Sequence, residues 1–75
     1  MTIIVFSKIQ ATIAKILKVS KNEITKNTKS SEIKKWDSLA HINIIIDLEN
    51  KFKKKVSTSK IDELDSIDKL IKYFR

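Results

Sequence analysis

Three side chains that could do chemistry fall within five residues, Asp37, Ser38 and His41, in the string Trp36-Asp37-Ser38-Leu39-Ala40-His41. A nucleophile, a base and a carboxylate are the parts of a hydrolytic triad, but a triad needs the base held between the other two beside an oxyanion hole. These three share one helical turn and nothing in the sequence supplies the hole, so hydrolysis is set aside. His41 is the single histidine, lacks partners at ligand spacing and reads as a surface side chain, so no metal site is expected. Ser38 is more informative, since it has a free hydroxyl, stands where a helix begins and follows an acidic residue. A helix start presents unpaired N–H groups and the positive end of a dipole, so a phosphodiester borne on Ser38 would sit in a favourable field. The plainer reading, in which Asp37-Ser38 is simply an N-cap, fits the same residues.

The elements that must position these residues are helical. Phe6, Ile9, Ile13, Ile16 and Leu17 recur at helical spacing, which predicts a first helix over Ile3 to Lys18 with a soft start at its β-branched residues. Val19 to Asp37 is polar and reads as a long ordered loop anchored by Val19, Ile24, Ile33 and Trp36. The second helix runs from Asp37 to Phe52, begun by capping residues. Its apolar side chains cover a wide arc, with Ile44, Ile45, Leu48 and Phe52 on one side and Leu39, Ile42 and Ile46 on the next. Either this helix is sandwiched between two others, or Leu39, Ile42 and Ile46 stay partly exposed for a partner. After a basic second loop, a short helical turn is expected from Lys60 to Leu64. A last helix follows, with Asp65 and Asp68 at cap and N3 spacing and Ile67, Leu70, Ile71 and Phe74 on its apolar stripe. The expected fold is all-α, a small four-helix bundle of three main helices and one short one, in a single domain over residues 1–75.

Composition excludes much else. The chain has 75 residues, no cysteine, no glycine and no proline. Disulfides and thiolate sites are therefore out, and so are the glycine-dependent phosphate loops of nucleotide-binding folds. Met1 to Phe6 is apolar but carries no basic leader, and Lys8 interrupts it, so a signal peptide or membrane span is not expected and the reading is a cytoplasmic protein. The net charge of +7 and pI near 9.8 put a nucleic-acid partner forward. Compositional drift toward lysine accounts for them equally well. A recognition helix, moreover, would carry Arg, Asn or Gln toward base edges, and the second helix is neither basic nor polar enough. A membrane-surface role for the first helix would consume the apolar stripe that the core needs.

Asp37-Ser38-Leu39 followed by Ile42, Ile45, Leu48-Glu49 and Phe52 resembles the acyl carrier protein family, and the string Trp36 to His41 is similar to that of free-standing carriers of bacterial gene clusters. The order of helices and loops agrees along nearly the whole chain. The resemblance implies that Ser38 bears a covalent 4′-phosphopantetheine arm, moved from coenzyme A by a phosphopantetheinyl transferase that itself uses Mg²⁺. It implies that acyl or aminoacyl cargo is held as a thioester on the arm's own thiol, and that the protein is not an enzyme. Asp37 and Leu39 complete the motif, and Leu39, Ile42 and Ile46 form an apolar docking patch, with Trp36 and His41 beside it. The partners implied are that transferase and a ligase, acyltransferase or ketosynthase, serving a monomer without nucleic-acid or membrane contacts.

Two departures from the family's pattern bear on those partners. The glycine that often precedes the motif is replaced around Lys35 and Trp36, and much of the acidity of the second helix is replaced by Ala40, His41, Asn43, Asn50 and Lys51. The charge is nevertheless unevenly spread. Eight lysines face two glutamates from Met1 to Trp36, whereas Asp37 to Phe52 holds Asp37, Asp47 and Glu49 against Lys51 alone. The basic excess is thus a background around a mildly acidic helix, whose partner surface should be apolar with modest positive charge.

Overall fold

The computed structural model describes residues 2–75, with side chains from Ile3 onward. Met1, where the apolar opening stretch begins, lies outside them. Helix α1 spans Thr2–Leu17, α2 Ser38–Phe52, α3 Thr58–Ile61 and α4 Ile67–Phe74, the all-α arrangement of three main helices and one short one that the spacing predicts.

α1 and α2 are antiparallel. Thr12 of α1 receives a hydrogen bond from Lys51 near the end of α2, and the Lys8 ammonium lies 5.7 Å from the centre of the Phe52 ring. α2 and α4 end together, where Phe52 stacks on Phe74 at 5.2 Å. Between the three helices lie Ile9, Ile13 and Leu17 of α1, Ile44, Ile45 and Leu48 of α2, and Ile67, Leu70, Ile71 and Phe74 of α4, all buried. This core forms because each helix turns a stripe at i, i+3, i+4 spacing inward, removing apolar surface from water at about 25 cal/mol per Å².

With no glycine available, both long helices close on lysine. Lys18 and Lys53 have φ of 58° and 52°, the left-handed position usually given to glycine. The amides beyond them, of Val19 and Lys54, return to the carbonyls of Ala14 and Glu49.

The first loop is less irregular than its composition suggests, because it contains two 3-10 turns, Lys21–Glu23 and Ser30–Glu32. Ser20 and Glu23 form a reciprocal capping box around the first turn, and the Lys29 amide donates to Glu32 to start the second. The Gln10 side-chain amide of α1 donates to the carbonyls of Lys21 and Ile24, both at 2.9 Å. Farther along, a single antiparallel bridge pairs Lys29 with Ser66, made by Ser30 N–H to Asp65 O at 2.8 Å and Ile67 N–H to Thr28 O at 3.0 Å. The loop is thereby sewn to the start of α4, and its predicted anchors Ile24 and Trp36 are buried.

Two boundaries differ from the sequence reading. The short helix lies at Thr58–Ile61, two residues earlier than Lys60 to Leu64, because Ser57 can begin it once the Val56 amide is held by the Glu49 carboxylate at 2.6 Å. The cap of α4 is Ser66, whose Oγ accepts from the Lys69 amide at 3.2 Å, and not Asp65. Asp65 gives its carbonyl to the bridge and its carboxylate to an exposed ion pair with Lys69.

Candidate functional site

Ser38 is the first residue of α2 and is exposed. The residue before it, Asp37, is extended and places its Oδ1 2.8 Å from the Ala40 amide, while its carbonyl accepts from His41 N–H at 2.9 Å. These bonds fix the turn that presents Ser38. A helix start leaves the amides of Ser38 and Leu39 without intrahelical partners, and they define a small region of positive potential beside the hydroxyl.

Below Ser38, Leu39, Ile42 and Ile46 stand at i, i+3 and i+7 and are 70%, 45% and 51% exposed. The wide apolar arc of α2 is therefore divided. Ile44, Ile45 and Leu48 enter the core, and this second stripe faces outward, so α2 is not sandwiched between two other helices. An apolar stripe next to an exposed hydroxyl is the kind of surface that a partner protein covers.

His41 is not the surface histidine that its neighbours in sequence suggest. It is 9% exposed. Its Nδ1 accepts from the indole N–H of Trp36 at 3.0 Å, and its Nε2 lies 2.6 Å from the carbonyl of Ile61 at the end of α3. Trp36 is 6% exposed and fills the gap between the first loop and α2. The docking role expected of these two side chains thus meets a structure in which both face inward.

Trp36, Asp37, Ser38, His41 and Ile42 line an open cleft of about 200 Å³ together with Ser30, Asp62 and Asp65. Its carboxylates come from the start of α2 and from the segment after α3. The other acidic residues of α2 are engaged elsewhere, Asp47 near Lys51 at 3.8 Å and Glu49 on the Val56 amide. The acidity beside Ser38 is therefore supplied mainly by Asp62 and Asp65, far along the sequence, rather than by α2 itself. Sequence reasoning missed both, and only the spatial return of the chain after α3 brings them in.

Among the described residues no group of three or more His, Asp or Glu side chains could hold a metal ion, and no helix is long and apolar enough to cross a membrane. α2 presents an apolar rather than a basic face, and the nucleic-acid reading of the +7 charge finds no support. A search of curated proteins finds no match. A family comparison does, because residues 7–74 match the model described as a phosphopantetheine attachment site, from the first half of α1 to the end of α4. Such carriers bear covalent 4′-phosphopantetheine, catalyse nothing themselves, and work with a phosphopantetheinyl transferase and biosynthetic enzymes. With an exposed serine opening its second helix and a match over most of its length, the chain belongs to the phosphopantetheine attachment site family of carrier proteins.

Proposed function

We propose that this protein is an acyl carrier in which Ser38 is the attachment point of the arm and Leu39, Ile42 and Ile46 are the surface its enzymes touch. The observation that carries the reading is the position of Ser38, exposed at the first turn of α2 and adjoining an exposed apolar stripe. The residues fit a phosphodiester. The hydroxyl is accessible, the helix dipole and first-turn amides favour an anion there, and the Asp37 carboxylate is occupied with the Ala40 amide. Asp62 and Asp65 disfavour a phosphate inside the cleft, which directs the arm outward.

In the loading reaction, Ser38 Oγ forms the bond to phosphorus as the phosphoanhydride of coenzyme A breaks. The nucleotide half leaves and the hydroxyl proton passes to a base of the transferase. The bound arm supplies the thiol that this cysteine-free chain lacks. Its cargo is an acyl or aminoacyl thioester, received from a ligase or acyltransferase and passed to an enzyme such as a ketosynthase. Asp62 and Asp65 beside the stripe suit partner surfaces that combine apolar and modest positive character. A monomer in the cytoplasm is the setting in which such exchange is simplest.

Intact mass after incubation with coenzyme A, Mg²⁺ and a promiscuous transferase tests the proposal. One phosphopantetheine should be added to the native chain and none to Ser38→Ala. Absence of the adduct, or an adduct on Ser38→Ala, rejects it.

A further inference from the structure

We infer that His41 is a positioning residue whose neutral form holds the two walls of the Ser38 cleft together, and that protonation of its ring detaches the wall carrying Trp36. The inference rests on the reading of Ser38 as the attachment point, and it starts from hydrogen inventory. An indole N–H can only donate, so His41 Nδ1, 3.0 Å from it, must be the acceptor. The proton of the neutral ring is then on Nε2, where it donates to the Ile61 carbonyl at 2.6 Å. One imidazole thus ties the loop residue just before Asp37 to the end of α3, with Ser38 on the lip between them.

An imidazolium has two N–H groups and no acceptor. It can keep the Ile61 bond, but it sets Nδ1–H against the Trp36 N–H, and a buried indole donor is left unpaired. The closed arrangement is therefore specific to the neutral ring. The charged groups lining the same cleft are Asp37 at the start of α2, held by the Ala40 amide, and Asp62 and Asp65 after α3, the latter paired with Lys69, with neutral Ser30 completing the lining. Trp36 adjoins the capping residue of α2, so its release loosens the turn that presents Ser38, while α3 stays attached.

The chain holds one tryptophan and one histidine, which makes both ends of the contact directly readable. Ring ¹⁵N spectra of the intact protein should show the Nε2–H tautomer at neutral pH. The buried, hydrogen-bonded Trp36 indole proton should exchange slowly at neutral pH and lose that protection on acid titration together with the His41 ring transition. The rate of Ser38 modification, taken as the ratio of wild type to His41→Gln so that the transferase's own pH profile cancels, should fall several-fold across the His41 ring transition seen in the spectra. An Nδ1–H tautomer, an indole proton that stays protected through the His41 transition, or a flat rate ratio would each overturn the inference. Should Ser38 prove not to be modified at all, the attachment reading fails, and the two spectroscopic results still decide the Trp36–His41 contact.

Discussion

Removing the Asp37 carboxylate takes the cap from α2 while leaving the Ser38 hydroxyl in place. Asp37→Ala should lower stability by about 1 kcal/mol, measured as a shift in the urea midpoint, and should slow modification of Ser38 by loosening its turn. Ser66→Ala should have a similar effect on stability for the same reason, while Asp65→Ala should change it by less than about 0.5 kcal/mol, since an exposed ion pair contributes little. Asp37 and Ser38 were legible in the sequence because capping is local chemistry, readable within four residues. His41 was not, because its partners are Trp36, five residues back, and Ile61, twenty residues on. Neither contact follows from a helical period, and an unpaired imidazole and a bridging one look alike in a string of letters. The cap of α4 falls on Ser66 and not on Asp65 where the backbone bridge with Lys29 claims the Asp65 carbonyl and the Ser66 hydroxyl takes the Lys69 amide.

The helices themselves show where a sequence without glycine bears strain. Lys18 and Lys53 hold left-handed backbone that a β-carbon disfavours by about 1 kcal/mol. Lys18→Gly and Lys53→Gly should each raise stability by up to about 1 kcal/mol, read as a higher urea midpoint, with no loss of Ser38 modification. At the first loop the expected sign is opposite. Gln10→Ala removes two hydrogen bonds to loop carbonyls and should cost about 1–3 kcal/mol, with faster amide exchange through Lys21–Ile24. α1, α2 and α4 were legible because their apolar residues repeat with the helical period over two turns or more. α3 has only four residues, too few for a period, and it was placed two residues late. The 3-10 turns escaped for the same reason. The split of the α2 arc into inner and outer stripes was left open by periodicity, and was resolved by which neighbours cover it.

Across the molecule, truncating a branched aliphatic side chain has opposite consequences on the two stripes of α2. Leu48 is fully buried, so Leu48→Ala should cost about 2–5 kcal/mol, a large part of the roughly 4–11 kcal/mol available to a chain of this size. Ile46→Ala should change stability by less than about 0.5 kcal/mol yet raise the KM of the transferase for this carrier. Urea melts and modification kinetics on the two variants distinguish the inner stripe from the outer. The bundle class was legible from helix spacing, while the seam between the first loop and α4 was not, because Lys29 and Ser66 pair across a distance that no local signal spans. That seam also bears on proteolysis. The first loop carries exposed lysines at 18, 21, 26, 29, 34 and 35, six sites for trypsin in a stretch that reads as an easy target. Its backbone, however, is committed to Gln10, to its own turns and to the edge of Ser66. A protease must draw several residues into an extended form before it can cut, so cleavage there has to wait for the seam to open.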